Sequence, residues 1–468
     1  MKNKFKKLFL SFLAATSLFL VACGTGVNPA TSGGIEVFPE DQDRILRIAS
    51  FTNEALVLAT AFAGENPDIE IDFTEITMQG GEYQNWLMPL LALGGDVPDV
   101  IFLEAEFIRQ FVESPFLGNM NSLLPYVDYV DTFPFVVEAG MHNGEARAFS
   151  FQATPGVMYF RRSMAREYFG TDDPSFIQEL FSTPESTLDA GRVIRDASGG
   201  TTFLVSSANE FFRGFAAGRR DPWVVDNTLT IDPLMMYFID FARILNEENL
   251  QAQVDQWSGE WFQGMDDNLI NAHGQPIRIF SYLLPTWGLT YVLMDNAPST
   301  FGDFGVIESP LPYHWGGTWI AVTRDARNPN LAREFVRWAT LNEVTLERWA
   351  TGYFSNEFLR AIDPSLPSDL GRGPGDFVSS RNVVNRISNY FEDTDAYNFL
   401  GGQNPYEIFG QLAPNVSLRL MQGTDAAIGD EWQDAVGAYL EGQIGSVQEL
   451  LQSFRNAVRV ILPDLNIN

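Results

Sequence analysis

From residue 44 onward, apolar and polar positions alternate in two different rhythms. Residues 44–51 (Arg-Ile-Leu-Arg-Ile-Ala-Ser-Phe) are an apolar run of strand length. Asn53 then stands where a helix cap is expected, and Ala55, Leu58, Ala59 and Phe62 follow at i, i+3, i+4 and i+7, one apolar stripe. Asn66-Pro67 ends that helix. Ile69, Ile71 and Phe73 next alternate with Glu70, Asp72 and Thr74, the period of a half-buried strand. A second helical stretch, residues 83–93, carries Pro89 as an expected kink. The turn Gly94-Gly-Asp-Val-Pro98 leads into an apolar strand over residues 99–103.

Strand and helix in alternation predict a layered α/β domain with a largely parallel sheet. Further along, Asn328-Pro329 opens a helix with Leu331, Phe335, Trp338 and Ala339 on one face. Near the end Ser446 and Glu449 have capping-box spacing, and Val447, Leu450, Leu451, Phe454 and Val458 make an apolar stripe. Residues 363–382 are rich in Pro, Gly, Ser and Asp and read as a long surface loop.

The amino end has a different character. Lys2, Lys4, Lys6 and Lys7 precede an apolar run from Leu8 to Leu20 that closes on Leu20-Val-Ala-Cys23. A membrane-spanning helix needs roughly 20 apolar residues, and about thirteen are present. The pattern is that of a secretory signal. Its ending resembles the lipobox of bacterial lipoproteins, which implies cleavage after residue 22, lipidation (palmitate included) at Cys23, and a mature chain held outside the cytoplasmic membrane. Residues 23–43, with Gly, Thr, Ser, Asn and Pro, read as a flexible tether.

Composition narrows the chemistry. Cys23 is the only cysteine, so no intramolecular disulfide forms and the fold rests on its core. With 468 residues, 45% hydrophobic and 13% aromatic, the chain fills two cores better than one. The net charge of −30 becomes more negative once the four amino-terminal lysines leave, for no lysine follows Lys7. Such a surface repels nucleic acid and anionic membranes. The three histidines, His142, His273 and His314, are far apart and form no metal-binding pair. There is no Gly-x-Ser-x-Gly elbow and no phosphate loop, and Gly371-Arg-Gly-Pro-Gly375 follows no strand. Around Asp393, Asp395 and Asn398 the glycine and closing glutamate of a calcium loop are missing. No metal or cofactor is expected. A glycosidase needs only two carboxylates across a cleft, so an enzyme of that class stays open as the alternative.

Several stretches, in order, resemble the extracellular sugar-binding lipoproteins of ABC importers, the family 1 solute-binding proteins that include the maltodextrin-binding proteins. They are residues 44–73, with Asn-Pro-Asp-Ile before the second strand, and the run Leu93-Gly-Gly-Asp-Val-Pro-Asp-Val-Ile-Phe-Leu103 with the helix after it. Phe149-Ser-Phe-Gln-Ala-Thr-Pro-Gly-Val-Met-Tyr-Phe-Arg161 and Gly316-Gly-Thr-Trp-Ile-Ala-Val-Thr323 follow, and then the carboxyl-terminal Ala438-Tyr-Leu-Glu-Gly442. The resemblance spans residues 44–460. It implies a two-lobe, periplasmic-binding-protein-like type II fold of α/β class with a hinge crossed three times. Lobe 1 would take residues 44–152 and 313–352, and lobe 2, richer in helix, residues 153–312 and 353–468. It also implies a monomeric, non-catalytic, lipid-anchored receptor that captures a carbohydrate, an oligosaccharide above all, and hands it to an ABC permease. A binding protein or sensor for a non-sugar solute is the other alternative.

Sugars present apolar C–H faces and a rim of hydroxyls, so a site needs aromatic plates and polar side chains together. Among ten tryptophans, Trp287 in Leu284-Pro-Thr-Trp-Gly288 matches the family's cleft tryptophan. Trp257 and Trp261 stand four apart, which would place both on one helical face, as plates or as core. Trp315 falls at the second crossing, whereas Trp319 sits in an apolar strand and reads as core. Glu104 and Glu106 follow the third strand, and one residue of register decides which faces the cleft. Asn53 and Glu54 end the first strand, and Gln152 occupies the first crossing.

Overall fold

In the computed structural model, which describes residues 39–467 except 372 and 374, the apolar runs become two separate sheets. The amino-terminal signal, Cys23 and the tether before residue 39 lie outside the described residues. The strands of these two sheets are β1 (Ile45–Ser50), β2 (Glu70–Glu75), β3 (Val100–Glu104), β4 (Phe149–Ser150), β5 (Gly156–Arg161), β6 (Ser281–Pro285), β7 (Phe304–Glu308) and β8 (Thr318–Val322).

The first sheet has the order β2-β1-β3-β8-β4. β1 runs parallel to both β2 and β3, and β8 lies antiparallel between β3 and β4, so the sheet is mixed rather than largely parallel. Every residue of β8 and four of the five in β3 are buried, as strands covered on both faces require. The helix Glu54–Glu65 buries Ala55, Leu58, Ala59 and Phe62 against this sheet. Its Phe62 ring meets Phe335 and Trp338 of the helix Pro329–Thr340 at 5.3 and 5.4 Å between ring centres. Asn53 occupies the N-cap position, but its side chain makes no capping bond. Asn328 likewise does not cap its own helix. Its amide instead accepts from Gln42 and Asp43 N–H and donates to the Ile45 carbonyl, tying the start of β1 down.

The second sheet is wholly antiparallel, in the order β6-β5-β7. All six residues of β5 are buried. Trp223, Trp432 and Phe454 cluster beyond it, joining the carboxyl-terminal helices Asp425–Leu440 and Val447–Ile461. Ser446 caps the last helix through Glu449 N–H at 3.2 Å, and the Glu449 carboxylate takes the Gly445 N–H.

Two expectations are corrected. The chain does not pass to the second sheet at residue 353. The helix Asn356–Ile362 packs on Glu54–Glu65, where Gly64 leaves room for Ile362, since a Cβ there would lie 2.6 Å from that side chain. The helix Arg381–Ile387 lies on Glu343–Ala350, with Arg386 paired to Glu343 and Glu347. Nor is the 363–382 stretch surface loop throughout: Asp376, Phe377, Val378, Ser379 and Ser380 are buried. They run beside the first crossing, where Ala153 N–H donates to Phe377 C=O and Ser379 N–H to Phe151 C=O. No helix among the described residues is long and apolar enough to cross a membrane.

Candidate functional site

Where the two sheets approach, one side chain ties three distant segments together. Gln152, 7% exposed, donates from Nε2 to Glu54 Oε1 at 3.2 Å and to Asp376 Oδ2 at 3.5 Å, and its Oε1 accepts the Thr318 N–H at 3.1 Å. Glu54 opens the first turn of its helix, where a carboxylate is favoured by the helix dipole, and also accepts from Thr318 Oγ1 at 3.4 Å. Asp376 accepts from Trp349 Nε1 at 2.8 Å.

These groups line a cavity of about 260 Å³ together with Phe51, Glu104, Trp287, Tyr291 and the Gly316-Gly317 turn. Glu104 ends β3 and accepts the Glu106 N–H at 2.5 Å. Burial first, and then the charge of Glu106, push its carboxyl up to about 8, which favours near neutrality the protonated form, able to donate as well as to accept. The question of register between the two glutamates resolves into two places: Glu104 faces this cavity, and Glu106 faces the next one.

That second chamber, about 200 Å³, shares Gly316 with the first. Ala105 and Glu106 form one wall, His314 and Trp315 another, and Arg213, Arg219, Asp425 and Asp430 come from the helical side of the second sheet. The Arg213 guanidinium carbon lies over Trp315, 3.7 Å from its ring centre, and an Nη lies 3.7 Å from the Glu106 carboxylate. Burial, with a contribution from Glu106, pushes Asp430 up to about 6, and burial with the nearby Arg213 charge pushes His314 down to about 3. A larger cavity, about 670 Å³, lies past Leu418 and Met421 against Arg109 and Glu138, and no aromatic ring lines it. The first two chambers are the candidate site, because they combine aromatic with polar lining.

The tryptophans separate by environment. Trp287, partly buried, donates Nε1–H to the Trp315 carbonyl at 3.0 Å and lies edge-on to the Trp315 ring. One flank of it abuts Gly316, whose φ of +75° and missing Cβ allow the approach, since a Cβ would stand 2.8 Å from Nε1. Trp257, 50% exposed, stacks on Trp287 at 15° between planes and 6.3 Å between centres. The expected shared helical face with Trp261 is corrected. Ser258 caps the helix Gly259–Met265, so Trp257 lies before it, at a φ of +66°. Trp261 is fully buried and donates to Glu210 Oε1, which makes it core, as is Trp319. Asn53 is exposed and does not line the cavity.

The structure thus brings Glu54, Glu104, Gln152 and Trp287 around one cavity, and Glu106 and Trp315 around its neighbour. Asp376 and Arg213 were missed. Arg213 had a signal: a single cation amid Phe211, Phe212 and Phe215, with no acid within a helical turn after it. Among the described residues no group of three or more His, Cys, Asp or Glu is arranged to hold a metal ion.

No family model matches the chain. An arabinooligosaccharide-binding protein of Halalkalibacterium halodurans is 22% identical over 417 residues, covering 84% of this chain and 83% of that protein. Among solved structures, an extracellular solute-binding protein family 1 superposes with a TM-score of 0.72 at 17% identity, covering 89% of this chain and 99% of the other. The galacto-N-biose/lacto-N-biose I-binding protein of an ABC transporter from Bifidobacterium longum gives 0.64 at 14%, covering 92% and 100%. The sugar-binding protein MalE of Xanthomonas citri gives 0.64 at 16%, covering 90% and 98%.

Proposed function

We propose that this chain, which has the two-lobe fold of the family 1 extracellular solute-binding proteins, is a non-catalytic receptor that captures a carbohydrate between its lobes for an ABC importer. The observation that carries the reading is the first chamber, which Trp287 and Tyr291 line together with Glu54, Glu104, Gln152 and Asp376. That is the pairing of apolar plate and polar rim that a sugar ring needs. The relatives support it. One binds arabinooligosaccharide by name, and others were solved with β-1,6-galactobiose or with lacto-N-biose. The chain would cross between lobes near Gln152, near Gly316 and within the Asp376–Ser380 run, so that each lobe moves as a body. Sugar touching both lobes then favours the closed arrangement, which the permease recognises. Lipid at Cys23 would hold a monomeric receptor at the outer face of the cytoplasmic membrane.

The competing reading, glycan hydrolysis by paired cleft carboxylates, is tested in the same experiment. Labelled oligosaccharide that binds should shrink the radius of gyration in solution scattering and be recovered intact. Tight binding with unchanged scattering curves would contradict the receptor mechanism, and cleaved sugar would establish the hydrolase.

A further inference from the structure

Away from both chambers, a buried carboxyl group sits among the supports of the tryptophans. Glu210, 2% exposed, is the second residue of the helix Asn209–Ala217. Three donors converge on it. Its Oε1 accepts from Ser206 Oγ and from Trp261 Nε1 at 3.3 Å, and its Oε2 accepts the Leu283 N–H at 2.7 Å. Burial pushes the carboxyl up to about 7, against the pull of these three donors. An acid kept in so enclosed a place is costly, and apolar packing alone would not ask for one.

Two of the donors lead to the aromatic wall. Leu283 belongs to β6, an outer strand of its sheet, which pairs with β5 along one edge. Glu210 stands on the open edge and satisfies an N–H that a further strand would otherwise take. Trp287 follows two residues after that strand ends. The second donor, Trp261, meets the Trp257 ring at 5.3 Å between centres, and Trp257 in turn stacks on Trp287. A glutamine would serve the strand edge equally well: its one amide oxygen accepts from Leu283, and its NH2 group donates to the Ser206 hydroxyl. That NH2 group would then face the Trp261 Nε1–H, donor against donor. Trp261 is the partner that calls for a carboxylate.

We propose that Glu210 is a positioning residue for sugar binding: its second acceptor oxygen anchors Trp261, and through Trp261 it sets the Trp257–Trp287 stack at the cleft. This rests on the carbohydrate-receptor reading and adds to it a residue that touches no sugar.

The test compares wild type, Glu210→Gln, Trp261→Phe and the double variant at pH 8, where the carboxylate form of Glu210 prevails. Trp261→Phe keeps a ring beside Trp257 and removes the N–H. In NMR spectra of protein labelled with 15N-tryptophan, the indole signal that Trp261→Phe deletes is that of Trp261, and Glu210→Gln should move it upfield as the hydrogen bond is lost. Calorimetric titration with arabino-, galacto- and malto-oligosaccharides of one to four units reads the affinity, and melting curves establish that each variant folds. Each single variant should weaken the best-bound sugar by about three- to tenfold, the worth of one aromatic contact. The double variant should be no weaker than the weaker single one, because both changes remove the same bond. Losses that multiply in the double variant, an unmoved Trp261 signal, or a lowered melting temperature with unchanged affinity would overturn the anchor while leaving the receptor reading in place. Binding of no sugar by the wild type would overturn both.

Discussion

Replacing Gln152 by glutamate changes its shape little and places a third carboxyl within 3.2 Å of the Glu54 carboxylate and 3.5 Å of that of Asp376. At an effective dielectric of about 20, each such pair of negative charges repels by about 5 kcal/mol. Protonating the new side chain is the less costly course. Holding a glutamate with an ordinary pKa near 4.3 in its neutral form at pH 8 costs about 5 kcal/mol, and at pH 5.5 about 1.6 kcal/mol. The protonated carboxyl also restores the donor that Gln152 supplied, and its carbonyl still accepts from Thr318 N–H. The folded-state pKa is thus raised above the unfolded value, so the stability is fully present below pH 4 and is lost as pH rises toward the folded pKa. Gln152→Glu should unfold about 5 kcal/mol more easily than wild type at pH 8 and only about 2 kcal/mol more easily at pH 5.5. Denaturant titrations of both proteins across that range, taken as a difference, give the slope of about 1.4 kcal/mol per pH unit that one extra bound proton requires. An equal deficit at both pH values would refute the three-carboxyl argument and reduce Gln152 to an ordinary buried amide.

Trp261→Ala should lower stability by about 3–5 kcal/mol because its indole is fully enclosed, whereas Trp257→Ala, half exposed and held at a φ of +66°, should cost under about 1 kcal/mol; paired melting curves compare them. Gly316→Ala should weaken sugar binding more than stability, since the new Cβ would stand 2.8 Å from Trp287 Nε1; calorimetry beside melting shows which property moves, and unchanged affinity would mean that Trp287 yields freely. Glu104, pushed up to about 8 chiefly by burial, should make sugar affinity change between pH 7 and 9 as its donor proton leaves, and should remove stability as pH rises from about 4.5 to 8, the loss levelling off above 8. Glu104→Gln should flatten both profiles, and a binding curve that keeps its inflection near 8 in that variant assigns it to another group.

Much of the first sheet is legible in the order of residues. The stripe from Ala55 to Phe62 and the alternation from Ile69 to Phe73 each carry a single period, and local periodicity suffices where one face is buried. The Asp376–Ser380 run is opaque for the opposite reason. Its polar residues look like loop, but the backbone bonds that bury it come from Phe151 and Ala153, more than two hundred positions away in sequence. Trp257 and Trp261 show how a period misleads. Their spacing fits one helical face, and only the cap at Ser258, bonded to Trp261 N–H at 3.1 Å, reveals that the helix begins after the first of them. Glu104 and Glu106 lie on either side of a strand end, where one residue of register chooses the chamber, and that register is set by β8 pairing Thr318 with Glu104.

That same pairing has a kinetic consequence. β8 sits between β3 and β4 and aligns Val322 with Val100, so the sheet that begins at Ile45 has a gap at its centre until the chain has been made past Val322. A growing chain of three hundred residues holds β1, β2 and β3 with one edge of β3 bare and the core beneath it uncovered. Closing such a long loop is entropically slow, and contacts of this sequence separation delay folding. The second sheet, drawn from residues 156–308, can pair before that point, so the two sheets are completed in the reverse of the order in which they begin, and the first one closes only when its last strand arrives.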